Sequence, residues 1–234
     1  KIWGYSAKQT LSIMQRLYEN HKILTYPRTD SRYISSDIVG TIPERLRAIS
    51  IGEYRLAASE ILKNKINANK SFVDNSKVSD HHAIIPTEQK PNLSNLSTEE
   101  RHIYDLVVKR FLSVLMPPFE YIQTNIKADI NGEIFVAKGK VIKSKGWKSL
   151  YDKDFSEDDS KEEDLKEQVL PKLTEGDVIN INKVEINKGE TKPPARFNEG
   201  TLLSAMENPQ KYVNVNKEAA KTLNRWSWNS CNKS

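Results

Sequence analysis

The sequence predicts a multi-domain α+β protein: a helical domain, then a β-rich domain, then the start of a second helical domain. Three features of the 234 residues support this order. Segments with helix caps and helical periodicity fill the first half, an Asn-Gly turn at 131–132 joins two alternating segments, and a Pro-Pro pair at 193–194 precedes another helical segment. We therefore expect domains at 1–117, 118–192 and 193–224.

Capping boxes mark the first and last helices of the first half. Ser6-Ala-Lys-Gln9 has the capping-box form, and apolar residues follow it at helical spacing: Leu11, Met14, Leu17 and Tyr18. Ser97-Thr-Glu-Glu100 marks a second such start, and Pro117-Pro118 ends that helix. The predicted apolar face of this helix consists of Ile103, Leu106, Val107, Phe111, Val114 and Leu115.

The chain between these two helices predicts one or two more helices and a loop. Thr41-Ile-Pro-Glu44 indicates a helix start with Thr41 as the cap and proline in the first turn. Apolar residues then continue at helical spacing: Leu46, Ile49, Tyr54, Ala57, Ala58 and Ile61. Residues 64–80 are rich in Asn, Lys and Ser, which predicts a polar loop.

The pattern changes after Pro118. Residues 121–130 alternate between apolar and polar side chains, Asn131-Gly132 is a strong turn signal, and residues 134–142 continue the alternation, which predicts a β-hairpin. We expect a further strand pair around 177–190.

Three other segments of the second half have simpler interpretations. Acidic residues dominate 152–167, and we expect a solvated surface loop there rather than a DNA mimic or a partner-binding tail. Thr191-Lys-Pro-Pro194 is typical of a linker. The following residues, 200–207, predict a helix that breaks near Asn208-Pro209.

Composition bounds the function classes. A formal net charge of +5 and a pI near 9.0 fit an anionic partner, although 36 basic residues are offset by 31 acidic ones. The single cysteine, Cys231, excludes an internal disulfide and indicates a reducing compartment. We expect no membrane span and no signal peptide, and the start at Lys1 suggests an excised fragment.

The stretch Ile23-Leu-Thr-Tyr-Pro-Arg-Thr-Asp-Ser31 carries the clearest chemistry. Pro27 biases Tyr26 away from the helical region, so a phenol and the Arg28 guanidinium are presented together at a turn. A tyrosine can attack a phosphate if a cation favours the phenolate and neutralises the phosphate. The alternative is a half-buried tyrosine with a hydrogen-bonded hydroxyl beside an arginine that extends to water.

A histidine pair lies in Asp80-His-His-Ala-Ile-Ile-Pro-Thr87, where the chain passes from polar to apolar residues. A zinc site is disfavoured, because no cysteine or acidic partner stands at the usual ligand spacing. Neighbours in an extended segment point to opposite sides, so we expect at most one of His81 and His82 to face a given site. His81 would suit phosphate contact or proton transfer; the alternative is one exposed and one hydrogen-bonded histidine.

Three segments together closely resemble type IA DNA topoisomerases, nearest the bacterial topoisomerase III branch. They are 23–31 (ILTYPRTDS), 80–87 (DHHAIIPT) and 193–209 (PPARFNEGTLLSAMENP), in this order and with a β-rich stretch before the third. The resemblance runs from about residue 4 to Asn224.

The resemblance implies a function for each domain. Residues 1–117 correspond to a helical domain that carries the nucleophile, 118–192 to part of a β-rich arch, and 193–224 to the start of a helical DNA-groove domain. A codon choice compatible with residues 225–234 encodes, one base later, the glycine-rich motif that continues the family sequence. We therefore expect an out-of-frame, disordered tail at 225–234.

The resemblance also implies roles for single residues. In this family the tyrosine matching Tyr26 attacks single-stranded DNA and forms a 5′-phosphotyrosyl link; a second strand passes, and the freed 3′-hydroxyl reverses the reaction without ATP. Arg28 matches the arginine that holds the scissile phosphate, and His81 matches the histidine beside it. His82, at a position where some relatives have glutamate, and Lys77 are further candidate DNA contacts.

The resemblance finally implies a partner domain. Members of the family bind Mg²⁺ with acidic residues of an N-terminal toprim domain, and no such pattern occurs in this chain, so we expect no metal site here. The expected partners are single-stranded or underwound DNA and the toprim domain of the same enzyme, in the bacterial cytoplasm at the nucleoid, with no membrane and no obligate protein partner. The alternative is a non-catalytic DNA-binding or scaffold fragment, inactive without that domain.

Overall fold

The computed structural model describes residues 3–151, 168–191 and 193–207. These residues divide into two compact units: 13–151 with 168–180 form the larger, and 3–12 with 181–191 and 193–207 form the other. The described residues form α-helices and a small antiparallel sheet, which confirms the α+β class. The finer domain order and the limits at 117, 192 and 224 stay predictions.

The described residues contain α1 (Ala7–Glu19), α2 (Ile42–Ile49), α3 (Arg55–Lys63), α4 (Thr98–Leu115) and α5 (Glu199–Glu207). Both predicted capping boxes are confirmed. Before α1, Ser6 Oγ accepts the Gln9 N–H at 3.1 Å, and Gln9 Oε1 accepts the Ser6 N–H at 2.9 Å. Before α4, Ser97 Oγ accepts the Glu100 N–H at 3.2 Å, and Glu100 Oε2 accepts the Ser97 N–H at 2.9 Å.

Thr41 precedes α2 but does not cap it. A 3₁₀ turn at Ile38–Thr41 leads directly into α2, so the Thr41 backbone already has helical angles. The Thr41 hydroxyl donates to the Ile38 carbonyl at 2.8 Å and accepts from Arg45 Nε at 2.8 Å. The predicted cap is wrong because a capping residue normally has extended angles, whereas the predicted helix and the proline in its first turn are confirmed.

Helices α2, α3 and α4 contribute much of the core of the larger unit. Their deeply buried side chains include Leu46, Ile49, Tyr54, Ala57, Ala58, Ile61, Ile103, Tyr104, Val108, Phe111 and Leu112. The predicted face of α4 is therefore rotated: Leu106, Val107, Val114 and Leu115 are only partly buried. The cause is tertiary, because Tyr54, at the start of α3, packs edge-on against Tyr104 at 6.5 Å and donates to Asp105 Oδ1 at 2.8 Å.

The predicted hairpin is confirmed. β1 (Glu120–Ile130) pairs with β2 (Glu133–Ser144) in an antiparallel register that closes at Ile130 and Glu133. The turn residues Asn131 and Gly132 have φ of 54° and 86°, as a two-residue turn with the twist of the strands requires.

The strand pair predicted around 177–190 is wrong. These residues have no regular secondary structure, and Val178 and Ile186 are 94% and 88% exposed. Alternating apolar residues favour a strand only when a neighbouring strand supplies hydrogen bonds, and none of the described residues does so here. The predicted loop at 64–80 and the C-terminal helix are confirmed.

The acidic segment 152–167 and the tail 225–234 lie outside the described residues. Within the described ranges, no helix combines the length and the apolar character that crossing a bilayer requires.

Glu100 links the start of α4 to α1 through an ion pair. Its side chain is 8% exposed; Oε1 accepts from Arg16 Nε at 2.8 Å, and Oε2 lies 3.3 Å from His21 Nε2. Burial alone would raise the pKa of the Glu100 carboxyl, but hydrogen bonds from Arg16 and the Ser97 N–H outweigh it and hold the pKa below its ordinary value. The stabilisation from Glu100 is therefore complete above the ordinary glutamate pKa and disappears as the pH falls through the lowered pKa of the folded state.

We expect Glu100→Gln to lower the free energy of unfolding by about 1–2 kcal/mol near neutral pH, since it removes a charged hydrogen-bond acceptor. The difference from the parent chain should shrink below about pH 4. Urea denaturation at several pH values measures both effects. Glu60→Gln, at an exposed position of α3, is the control, and an equal loss for Glu100→Gln at acid and neutral pH would contradict the argument.

Candidate active site

The first motif (residues 23–31, with Tyr26) and the second motif (residues 80–87, with the histidine pair) are neighbours in the fold because their backbones form hydrogen bonds to each other. The Thr25 N–H donates to the Ile85 carbonyl at 3.0 Å, and the Thr87 N–H donates to the Ile23 carbonyl at 3.1 Å. Leu24 forms an antiparallel bridge with Pro86 between these bonds. Segments sixty residues apart in sequence thus form one short ladder, and its apolar side chains are buried.

Hydroxyl side chains add a second set of bonds along this ladder. Thr25 Oγ1 accepts the Ile85 N–H at 2.9 Å, and Thr29 Oγ1 donates to the His81 carbonyl at 2.8 Å. Ser31 Oγ donates to the Lys77 carbonyl at 2.8 Å. Sequence reasoning missed these roles, although hydroxyls next to an apolar run are a usable signal for side chain to backbone bonding.

The Tyr26 ring lies between two other rings. Its centroid is 4.4 Å from that of His81, with a 42° angle between the planes, and 5.4 Å from that of Tyr18, which it meets at 82°. The predicted proximity of Tyr26 and His81 is confirmed. Two ring neighbours restrict the rotation of the phenol, as a positioned nucleophile requires.

Tyr26 lines two clefts. The first, which we name the histidine cleft, has a volume of about 380 Å³ and is lined by Thr25, Tyr26, Ser35, Asp37, Asn75, Val78, Ser79, Asp80, His81 and His82. The second, the lysine cleft, has a volume of about 550 Å³ and is lined by Tyr18, Glu19, Lys22, Leu24, Thr25, Tyr26 and Thr87. A substrate can therefore approach Tyr26 from either cleft.

Both histidines border the histidine cleft, one exposed (His81) and one hydrogen-bonded (His82), and the expectation that only one imidazole faces a given site stays a prediction. The chain bends at residues 79–81, and the alternation of an extended segment does not apply there. His82 is half-buried, with Nδ1 2.7 Å from the Ala83 carbonyl. A hydrogen bond from the Ser35 hydroxyl, helped by backbone N–H groups and the nearby His82, lowers the pKa of Asp37 in the same cleft.

Arg28 and Lys77 lie outside both clefts. The Arg28 side chain is exposed, and it makes no hydrogen bond or ion pair with the described residues. Lys77 Nζ donates to the Tyr33 hydroxyl at 3.1 Å and lies 3.5 Å from Asp74, contacts that raise the pKa of Lys77. The predicted contact of Arg28 with Tyr26 and His81 stays a prediction, as do the DNA contacts of Lys77 and His82.

A buried cation, Arg45, fixes the second motif to α2. Its Nη1 donates to the Pro86 carbonyl at 2.7 Å, and Nη2 lies 2.7 Å from Glu88 Oε1. Burial lowers the pKa of Arg45, and the charge of Glu88 opposes this effect. Sequence reasoning missed Arg45, because its partners in and beside the second motif, Pro86 and Glu88, are 41 residues or more away.

No cluster of three or more His, Cys, Asp or Glu side chains in the described ranges is arranged to hold a metal ion. The clefts around the Tyr26 phenol are lined by two imidazoles, the Lys22 cation and the carboxylates of Asp37, Asp80 and Glu19. A phenol beside imidazoles and a cation suits attack on a phosphodiester and transfer of the associated proton.

Comparison with known proteins identifies the family. A family model described as DNA topoisomerase matches residues 1–211. The chain belongs to this family. It is 60% identical over 224 residues to the DNA topoisomerase 3 of Bacillus thuringiensis (strain Al Hakam) and to that of Bacillus anthracis, and 53% identical to that of Bacillus subtilis (strain 168). Each match covers 95% of this chain.

These matches confirm the resemblance to bacterial type IA topoisomerases of the topoisomerase III branch. This topoisomerase chain spans only 30–31% of the length of those relatives.

Thr25→Val should destabilise the protein more than Thr25→Ser. Valine keeps the shape of threonine but leaves the N–H of the buried residue Ile85 without the hydroxyl oxygen that accepts its hydrogen bond, at a cost of about 1–3 kcal/mol. Serine retains the hydroxyl. Urea denaturation monitored by circular dichroism measures the difference, and equal stability of the two variants would show that the Thr25 hydroxyl does not hold the motifs together.

Proposed function

We propose that this chain is the central part of an ATP-independent type IA DNA topoisomerase, with Tyr26 as the nucleophile. The observation that carries the proposal is the Tyr26 ring, held against His81 at the border of two clefts in a chain of this family. The enzyme would cleave one strand of DNA, pass another strand through the gap and rejoin the first.

The proposed reaction exchanges one phosphate ester for another. The Tyr26 hydroxyl loses its proton as its oxygen forms a bond to phosphorus; the bond between phosphorus and the 3′-oxygen breaks, and the 3′-oxygen takes up a proton, which leaves a 5′-phosphotyrosyl ester and a 3′-hydroxyl. His81 contacts the phosphate or moves the proton, and Arg28 holds the phosphate oxygens in its planar fork. Reversal restores the phosphodiester, so neither ATP nor another energy source is needed.

Mg²⁺ does not fit the described part of this chain, which offers no suitable acidic cluster. We assign the metal to a toprim domain elsewhere in the full-length enzyme, as the 31% coverage of the relatives permits. The substrate is single-stranded or underwound DNA, and the enzyme acts in the bacterial cytoplasm at the nucleoid.

The second candidate function is a non-catalytic DNA-binding or scaffold module. The lack of a metal-holding acidic cluster among the described residues favours it, since Tyr26 then has no metal cation beside it.

A covalent trapping assay distinguishes the two functions. With a 3′-labelled single-stranded oligonucleotide and Mg²⁺, we expect no labelled protein from the chain alone, because the proposed metal-binding part is absent. Addition of the toprim domain of a relative in trans should produce a labelled adduct that survives denaturation. Tyr26→Phe should abolish the adduct, and Tyr121→Phe, on the hairpin, should retain it.

Two results would count against the proposal. Failure to trap an adduct when the toprim domain is present would favour the scaffold function. Relaxation of plasmid by the chain alone, lost in Tyr26→Phe, would contradict the assignment of the metal to a missing domain.

The chain alone should bind single-stranded DNA weakly and with a steep dependence on salt, because its net charge of +5 is modest and phosphate contacts release counterions. Fluorescence anisotropy with labelled single- and double-stranded oligonucleotides at several salt concentrations measures this. An affinity that salt does not change would contradict an electrostatic interaction.

A further inference from the structure

Lys22 has a backbone conformation that lysine rarely adopts. Its φ is 55°, and among the described residues Asn131 is the other non-glycine residue with positive φ. Asparagine tolerates this region and suits the hairpin turn, but a long side chain is strained there. A strained residue beside a reactive group is a reason to look for a function of its side chain.

The fold requires the conformation but not the lysine. α1 ends just before this point: the His21 N–H donates to the Arg16 carbonyl at 3.2 Å, and the Ile23 N–H donates to the Leu17 carbonyl at 3.0 Å. The Lys22 carbonyl accepts from Thr87 Oγ1 at 2.6 Å, which fixes the reversal onto the second motif. Glycine is the usual residue for such a helix end, so backbone geometry does not explain the side chain.

The Lys22 side chain lines the lysine cleft and makes no hydrogen bond or ion pair with the described residues. Tyr18, one of the residues at helical spacing in α1, is 37% exposed and lines the same cleft. Glu19 also lines it; one of its carboxylate oxygens, Oε1, accepts from Gln15 Nε2 at 2.8 Å, and its single negative charge is balanced by the positive charge of Lys22. The cleft thus combines one cation, one carboxylate and an aromatic ring beside Tyr26, without the excess of carboxylates found in the histidine cleft.

The other cleft is less suited to a phosphate backbone. Two carboxylates, Asp37 and Asp80, line the histidine cleft and would repel phosphates that pass through it. A cation next to an exposed ring is the arrangement that binds single-stranded nucleic acid, with phosphate on the cation and a base against the ring.

We propose that Lys22 binds a backbone phosphate next to the one that Tyr26 attacks, and that Tyr18 packs against the adjoining base. This rests on the proposed function and names the path of the DNA strand through the lysine cleft. The lysine is then retained in a strained conformation because its charge contributes to substrate binding.

Lys22→Gly separates an effect on DNA binding from an effect on stability. Glycine removes the positive charge, which should weaken binding, and it also relieves the backbone strain at positive φ, which should not destabilise the fold. The melting temperature should stay the same or rise. The affinity for a fluorescein-labelled single-stranded oligonucleotide at low salt should fall by about fivefold, and the slope of log affinity against log salt should flatten by about 0.7, the contribution of one phosphate contact. Lys22→Arg should keep both the affinity and the slope.

Two control variants match the two effects of Lys22→Gly, the relief of backbone strain and the loss of one positive charge. Asn131→Gly gives the same backbone relief in the hairpin turn, and Lys127→Gln removes one charge from an exposed position of β1. Both should leave the affinity within about twofold of the parent chain. Tyr18→Leu should weaken binding and Tyr18→Phe should not, because a phenyl ring still stacks.

Unchanged affinity and slope in Lys22→Gly, or a loss no larger than in Lys127→Gln, would overturn the inference, as would a parent chain that does not bind the oligonucleotide. The Tyr26 adduct assay reports separately on the proposed function. An adduct that forms normally in Lys22→Gly, with unchanged DNA affinity, would refute the role of Lys22 and leave the proposed function intact.

Discussion

The site depends on the short ladder between residues 23–25 and 85–87. Ile23, Leu24 and Ile85 are buried, so the ladder belongs to the core rather than to a surface loop. The reactive segments that continue from it, toward Tyr26 in one direction and back toward His81 in the other, are exposed or half-buried. A rigid base with polar residues at its end is a general solution for holding reactive groups, because the packed part fixes the positions of side chains that solvent must still reach.

Arg45 shows how the second motif is held in place. The Arg45–Glu88 ion pair contributes little net stability, because Arg45 loses its hydration on burial and Glu88, 41% exposed, is screened by water. Its value here is geometric: one guanidinium fixes the Pro86 carbonyl and the Glu88 carboxylate relative to Thr41 on the other side. Any shift of residues 86–88 along α2 would leave a buried cation unsatisfied, so the register of the ladder is defined.

Local features of the fold could be predicted from the sequence. The interacting residues are at most three positions apart in the two capping boxes, Ser6 with Gln9 and Ser97 with Glu100, and adjacent in the turn Asn131-Gly132. Each of these features has its predicted geometry. Two of the failures concern partners distant in sequence: the buried face of α4 depends on Tyr54, and the strands expected at 177–190 need a neighbouring strand. The failure at Thr41 is local, because a 3₁₀ turn already precedes the helix and the Thr41 hydroxyl bonds to Ile38 and Arg45 instead of capping. A bend at residues 79–81 interrupts the extended chain before His82, which alternation along a strand does not predict.

The cations of this region differ in whether they have a carboxylate partner in the protein. This difference explains how one small region can serve both folding and chemistry. Arg45 is bound to Glu88, and the exposed Lys77 lies beside Asp74, so each of these cations already has a carboxylate partner in the protein. Arg28 and Lys22, two residues after and four residues before Tyr26, have no such carboxylate partner among the described residues. A cation without a partner loses no internal ion pair when it meets a phosphate, and it therefore keeps more of its electrostatic attraction for the substrate. The backbone of residues 23–25 makes the hydrogen bonds of the ladder, while the charges of Lys22 and Arg28, on either side of Tyr26, remain available to an anionic strand.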